Sequence, residues 1–509
     1  MYTPAPLCKK TLLHTAGFTV LFSLIAHGYR LLNMSFTGDA AQISLTDEAV
    51  FQLSIGRFLQ PVLWQIRGHI TAPLTIGLFA IAALIGAAYL LITMLRIRSS
   101  LSIALICGIL ATNETLGVSY ASYLPWCDVY MIAFFFAMCG VYIAARFQHG
   151  WLLSPLFYLL SLALYQSYLQ TAVALILFLL MLSLFDGERP VRIWQSGVKA
   201  CAALLAGMGL YYLGVHHIPE WLNVDLMYNY NSARNATVFI LEEIPELILS
   251  TYLYPFQFFL RPADHAFIPP LLTLAFLLLG MPPLLRRIRR LKLSGFLTLL
   301  FLFAVTPLGV NFAAFLAKGI VHPLMTYSFY LLYVFIIALW DHRAADAPDA
   351  FRFPALSRAL HMGLAALCAL MLFLNIKTAN QLYLRRDLEF YSTTSAATRI
   401  LKHADNVDGY IPGETPVCML GYLPSSSISL VRPGFESLSN LQGMLYTYAA
   451  SYEMATPWYY QMILGYPVNF VSDEERKAYE ASGIGDTMPR YPEEGFCQMI
   501  DGVLFVRIH

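Results

Sequence analysis

Asp39, Asp47 and Glu48 stand close together in one polar stretch, with Arg57 and Arg67 following shortly after. A carboxylate can take the proton of an acceptor hydroxyl, and the planar fork of an arginine can hold a phosphate. Together these are the parts of a transfer in which a hydroxyl attacks and a phosphate leaves. The same residues also read as a solvated loop with incidental ion pairs. Other polar groups interrupt apolar runs. Glu114, in Thr112-Asn113-Glu114-Thr115, either lines a wet cavity or sits in a loop after a helix that ends at Ala111. Asp128 reads as a helix N-cap or as a contact to substrate. Tyr165 and Gln166 read as polar glue between helices or as the lining of a sugar pocket. His322, followed by Pro323 and Tyr327, is an interfacial histidine or a substrate contact, and Arg234 and Arg261 offer further phosphate contacts.

The elements that position these groups follow from composition. Of 509 residues, 58% are hydrophobic and only 12% charged, against about 25% charged in soluble domains. Most of the chain therefore lies in a solvent that tolerates few charges. A net charge of +1 excludes a strong electrostatic preference for nucleic acid. There is no CxxC and no Cys/His spacing suited to zinc. Cys107, Cys139, Cys201 and Cys368 fall inside apolar runs and read as small buried hydrophobes. Cys418 and Cys497 lie in the polar C-terminal region, where a disulfide between them is an open expectation. Lys9 and Lys10 precede an apolar run with no small-residue cleavage site after it, since His27, Tyr29 and Arg30 occupy that place. This reads as an uncleaved first helix.

A spanning helix needs about 20 apolar residues, and on that measure the chain holds about eleven. The expected spans are Thr15–Met34, Thr71–Met94, Leu101–Val118, Val129–Ala145, Leu152–Tyr165, Thr171–Phe185, Val198–His216, Ile268–Leu285, Gly295–Ala313, Ile320–Trp340 and Ala359–Thr378. With the N-terminus cytoplasmic, Lys9, Lys10, Arg96, Arg98, Arg146, Arg189, Arg192, the cluster from Arg286 to Lys292, Arg343, Arg352 and Arg358 all fall inside. Only Arg57, Arg67, Arg234, Arg261 and Lys318 fall in outer loops before the tail. That asymmetry fits the positive-inside rule and places the C-terminus outside. The outer segments are then 35–70, 218–267 (with an interfacial helix expected over Ala236–Phe259) and the tail 379–509. The tail has soluble composition. It reads as a small α/β domain, with a polar helix over Ala379–Val407, strands at Pro416–Gly421 and Gly502–Ile508, and a helical piece at Asp473–Ser482. Its aromatic stretch Trp458-Tyr459-Tyr460 stacks on sugar, rests at the headgroups or packs inside the tail.

All the candidate residues share the outer face. The stretch Gly56-Arg57-Phe58-Leu59-Gln60-Pro61, followed by Arg67-Gly68 and Ala72-Pro73-Leu74, resembles the first-loop signature of the type II O-antigen glucosyltransferases. Tyr165-Gln166 resembles that family's hairpin, and Met488-Pro489-Arg490-Tyr491-Pro492 ahead of Asp501-Gly502-Val503 resembles its closing stretch. The resemblance implies a GT-C type fold over residues 1–378 and a plasma-membrane enzyme. It implies transfer of a sugar, glucose by the family's name, from a polyprenyl-phosphate donor to a surface glycan or glycolipid on the extracytoplasmic side. It makes Asp39 the catalytic base. Gly38 and Ala40 flank Asp39 where the family often has a His or second acid, which keeps Asp47 and Glu48 as candidates.

The donor carries its own leaving group, so no nucleotide-binding loop is expected and none is present. No cofactor is required, although Asp39 with Asp47 or Glu48 would suit a divalent cation such as magnesium or manganese. Two other classes compete. A transporter or flippase of lipid-linked sugars would show broken helices in two related halves, and no such symmetry is seen. A non-catalytic export subunit would tolerate loss of the first-loop carboxylates.

Overall fold

The structure, a computed structural model, describes residues 3–35, 49–226, 243–260, 267–345, 354–421 and 459–508. Asp39, Asp47, Glu48, Arg234, Arg261 and Trp458 lie outside the described residues. The chain forms two compact units. The larger takes the described residues within 1–32, 48–120 and 126–380, and the smaller those within 33–35, 121–125 and 381–509.

The larger unit is helical: α1 Lys9–Leu32, α2 Ala49–Ser54, α3 Gln60–Ile66, α4 Pro73–Met94, α5 Ser100–Thr112, α6 Glu114–Ser122, α7 Cys127–Arg146 and α8 Ser154–Leu164. Then follow α9 Leu169–Phe185, α10 Pro190–Trp221, α11 Ile244–Leu260, α12 Pro270–Ile288, α13 Leu293–Leu316, α14 Leu331–Ala345 and α15 Pro354–Ala404, whose residues from Gln381 on belong to the smaller unit. Among the described residues, nine helices are long and apolar enough to cross a membrane, and Gly150–Leu164 and Tyr327–His342 are shorter apolar helices. This is a polytopic helical membrane protein. The segment expected as an interfacial helix contains α11, which begins at Ile244.

Local chemistry sets the helix starts. Proline stands in the first turn of α3, α4, α8, α10 and α12, where its missing N–H costs nothing. Ser99 caps α5 by accepting from the Ser102 N–H. Helices approach closely where one lacks a side chain. Tyr158 of α8 is wedged against Gly140 of α7 and Gly207 of α10, and no Cβ would fit at either glycine.

Where a helix breaks, neighbours satisfy the freed backbone, as an apolar solvent requires. Helix α13 contains Pro307 and is non-helical at Asn311 (φ −128°). Gln170 accepts from the Ala313 N–H at 3.4 Å and donates to the Met325 carbonyl. Ser328 donates to the Val310 carbonyl at 2.6 Å, and Asn311 donates to that of Thr251 at 3.0 Å. The turn between α4 and α5 is held by Asp341, which accepts from the N–H groups of Arg98 (2.8 Å) and Ser99 (3.0 Å).

The smaller unit has a four-stranded sheet of β1 Pro416–Leu420, β2 Asn469–Phe470, β3 Cys497–Ile500 and β4 Val503–Arg507, in the order β2-β1-β4-β3. Strands β1 and β4 run parallel, and β3 and β4 form an antiparallel hairpin. One face, with Val417, Met419, Leu504 and Val506, packs on the end of α15 through Ala397, Ile400 and Leu401, and on Tyr459 and Tyr460. The other face, with Cys418, Leu420 and Phe505, meets Met488 and Tyr479 of helix α16 (Asp473–Ala481). Tyr459 and Tyr460 are fully buried, and the Tyr459 hydroxyl is 2.8 Å from that of Thr394, so these two aromatics pack inside the tail.

The expected pairing of Cys418 with Cys497 is not made, and both thiols are free. The register explains why. Strand β4 lies between their strands, with Cys418 opposite Phe505 and Cys497 opposite Val506. Two strand spacings put the pair about 9–10 Å apart, beyond disulfide reach. The alternation along β4 also sends the two thiols to opposite faces of the sheet.

Candidate functional site

The stretch from Gly56 to Pro61 and the Tyr165-Gln166 turn are far apart in sequence and meet in the fold. The Leu59 N–H donates to the Ala163 carbonyl at 3.2 Å, and Gln60 donates to the Leu164 carbonyl at 2.7 Å. These bonds satisfy the last carbonyls of α8, which have no partner within their own helix. Gln166, in the 3₁₀ turn Gln166–Tyr168, returns the contact by donating to the Ile55 carbonyl at 3.3 Å. Gly56 makes the approach feasible. Its φ of +84° suits glycine, and a Cβ there would stand 2.8 Å from the Tyr211 hydroxyl.

Arg57 projects from this junction. Its Nε donates to Gln166 Oε1 at 3.4 Å and its Nη1 to Gln52 Oε1 at 3.2 Å, while its guanidinium lies 4.8 Å from the centre of the Tyr165 ring. The Gln166 amide is oriented in turn by Tyr211, whose hydroxyl accepts from Nε2 at 2.8 Å. All of these partners are neutral, and Arg57 makes no ion pair with a carboxylate among the described residues. Arg57 is half-buried, and these partners fix its charge in place.

His322 lies within electrostatic reach of Arg57. It precedes the 3₁₀ turn Pro323–Met325, and its Nδ1 accepts from the Leu324 N–H at 3.3 Å. Accepting at Nδ1 leaves the ring proton on Nε2. Burial, and then the positive charge of Arg57, hold the imidazole down to about 4. His322 is thus a neutral hydrogen-bond donor at ordinary pH.

Arg67 and Asp128 form a separate pair. Arg67 Nη1 donates to Asp128 Oδ1 at 3.3 Å, with both side chains buried. The guanidinium lies 5.2 Å from the Trp64 ring and 5.7 Å from that of Trp126. Asp128 stands within the first turn of α7, whose N-cap is Trp126. It is therefore no N-cap, and its carboxylate serves Arg67 and the Val129 N–H. Arg67 is thus buried, with its charge already opposed by a carboxylate. The pair connects to the Arg57 group through Tyr130, whose ring centre is 4.6 Å from that of Tyr165.

Glu114 is the first residue of α6 and is 4% exposed. It is neither in a loop nor facing bulk water. Asn113 breaks the helix and caps α6 by accepting from the Leu116 N–H at 3.1 Å. Glu114 lies within electrostatic reach of Tyr330 and Tyr333. Its neighbour Thr115 is 2.7 Å from Thr326, hydroxyl to hydroxyl.

The structure thus gathers Arg57, Tyr165, Gln166 and His322, and sets Arg67 with Asp128 apart from them. It adds Gln52 and Tyr211, which sequence reasoning missed. Gln52 carries a weak signal as a polar residue one turn before Gly56. Tyr211 carries none, being one aromatic among many in a long apolar helix. It also adds Arg30, which is wholly buried and donates to the Tyr120 carbonyl at 2.9 Å. Among the described residues, no group of three or more His, Cys, Asp or Glu could hold a metal ion.

No curated protein and no solved structure matches the chain. A family model, glucosyl transferase GtrII, matches residues 28–339, from the last turn of α1 into α14, and includes every residue of the Arg57 group. The match covers more than half of the chain, and the protein belongs to the GtrII glucosyl transferase family.

Proposed function

We propose that the protein transfers glucose from a polyprenyl-phosphate donor to a cell-surface glycan or glycolipid, at the extracytoplasmic face of the plasma membrane. Family membership gives glucosyl transfer, and the rest is inferred. The observation that carries the donor assignment is Arg57, a positioned guanidinium held, among the described residues, by neutral groups. A lipid phosphodiester is the ligand such a group suits. It needs charge stabilisation as it leaves, and a preorganised cation supplies this without rearrangement.

In this reading Arg57 binds the departing carrier phosphate, and His322 Nε2–H donates to the same phosphate or to the sugar. Tyr165 forms the floor beneath Arg57, while Gln52, Gln166 and Tyr211 hold the guanidinium in place. Arg67 and Asp128 brace the loop instead of touching the donor. The base comes from residues 36–48. Asp39 takes the acceptor hydroxyl's proton as the oxygen attacks the anomeric carbon and the carbon–phosphate oxygen bond breaks, with Asp47 and Glu48 as the alternatives. One displacement inverts the anomeric centre. Glu114 lies near enough to the His322 turn to contact an acceptor sugar. A divalent cation would fall to the same first-loop carboxylates. The excess of Lys and Arg at the opposite helix ends supports the outward placement of this face.

The test uses purified protein in lipid, with synthetic polyprenyl-phosphate glucose and membrane glycan extracts as acceptors. Release of free polyprenyl phosphate together with inverted glucosyl product is expected. Silence across a panel of lipid-linked sugars and acceptors, from a folded protein, overturns the proposal in favour of a transporter or export subunit.

A further inference from the structure

At the far end of the larger unit from Arg57, one length of α9 or about 25 Å away, lies a polar cavity of about 320 Å³. It is lined by Ser183 at the end of α9, by Glu188 in the turn, and by Arg192, Gln195, Ser196 and Lys199 on the first turns of α10. Arg192, Gln195, Ser196 and Lys199 follow helical spacing and share one face. Among the described residues the Arg192 side chain is engaged by Glu188, at 3.4 Å, in an exposed pair of the kind that contributes little and exchanges readily. The lining therefore offers two cations, an amide and hydroxyls to a single guest.

The surroundings favour an anion. The α12–α13 turn carries Arg286, Arg287, Arg289, Arg290 and Lys292 with no acid, and it sits beside the end of α9. The Arg287 guanidinium is 5.8 Å from the centre of the Phe185 ring. Of the two acids in the α9–α10 turn, Asp186 is already paired with Arg96 at 3.3 Å.

The depth favours a lipid. Helix α10 has 32 residues, so it is about 48 Å long, against a hydrocarbon core of about 30 Å. The excess leaves room for its first turns, which carry Arg192 and Lys199, to stand among the headgroups. Val191, Val198 and Leu205 recur every seven residues on an adjoining stripe, each about two-thirds exposed. They offer an apolar flank along which acyl chains can run from a headgroup seated in the cavity.

We propose that this cavity binds the phosphodiester headgroup of an anionic phospholipid, between Arg192 and Lys199. The site is independent of the transfer chemistry and requires only that the helices span a bilayer. The test is native mass spectrometry of the intact chain, released from detergent after titration with phosphatidylglycerol or phosphatidylcholine. One copy of phosphatidylglycerol is expected to be retained well above phosphatidylcholine. The R192Q/K199Q double variant should lower that retention about thirtyfold, the equivalent of two interfacial charges, whereas Lys10→Gln, which removes a cation elsewhere, should leave it unchanged. Arg192 and Lys199 are exposed, so the variants should fold, which thermal unfolding checks. Equal retention of the two lipids, unchanged retention in the double variant, or full competition by inorganic phosphate would each overturn the proposal. The last would mark a free-anion site.

Discussion

Replacing Arg57 with Gln tests the donor site at its cation. The side chain makes two bonds to amide oxygens, at 3.4 and 3.2 Å, and no ion pair among the described residues. Its loss should therefore cost the fold little. A bond from a charged donor to a phosphate is worth roughly 1.5–3 kcal/mol, and each 1.4 kcal/mol is about tenfold. If Gln keeps one neutral contact, kcat/KM for the lipid-linked donor should fall roughly 10- to 100-fold. Arg57→Lys keeps a charge but loses the planar fork and its two glutamine anchors, so it should fall in between. The assay measures release of free polyprenyl phosphate against donor concentration, with thermal unfolding of each variant alongside. An Arg57→Gln enzyme within about twofold of wild type would refute phosphate binding by this residue, since that is under 0.5 kcal/mol. A loss that merely followed the fall in melting temperature would refute it too.

Asp128→Asn removes the charge opposite a buried guanidinium, and breaking such a pair costs about 3–5 kcal/mol. The expected outcome is a large drop in melting temperature, with the donor KM of the surviving folded protein little changed. Gly56→Ala forces a Cβ against Tyr211 at a φ of +84° and should weaken transfer by displacing Arg57, whereas Tyr211→Phe should reproduce a milder form of that loss. Because His322 is held down to about 4, below its unfolded value near 6.5, the unfolded chain binds the proton more readily between those values. Its stabilising contribution is present above about pH 6.5 and lost as pH falls toward 4, so a His322→Gln variant should show a shallower loss of melting temperature over that window. Alkylation under denaturing, non-reducing conditions should label both Cys418 and Cys497.

The sequence showed some of this plainly and hid the rest for physical reasons. The long apolar runs announce helices wherever the solvent is lipid: among the described residues nine of the expected spans overlap helices long and apolar enough to cross a membrane, and the other two overlap the shorter apolar helices around Tyr158 and Phe335. The tail strands at Pro416–Leu420 and Val503–Arg507 and the helix at Asp473–Ala481 were also legible, because the helix carries a Ser472–Glu475 capping box and the strands alternate around turn glycines. Strand order was not legible. Only the placement of β4 between β1 and β3 shows that the two tail cysteines cannot pair. At the site, residue types identified Arg57 and Arg67 equally as phosphate ligands. Their difference lies in a partner far along the chain, since Asp128 pairs with Arg67 while amides and the Tyr165 ring hold Arg57 among the described residues. Gln60 was readable as part of a motif but not as the cap of a helix a hundred residues away. Asp128 suggested a cap because carboxylates at helix starts commonly are caps, and a buried arginine nearby cannot be read from spacing.

The central claim is that a first-loop carboxylate activates an acceptor against a lipid-linked glucose. Its most direct test is donor turnover by Asp39→Asn, compared with Asp47→Asn, Glu48→Gln and wild type, in the polyprenyl-phosphate glucose assay with acceptor present. The account predicts that Asp39→Asn binds donor normally but releases no polyprenyl phosphate above background, while the other two retain turnover. If Asp39→Asn turns over like wild type and either neighbour is silent, the base moves to that neighbour. Wild-type turnover by all three variants would contradict the mechanism.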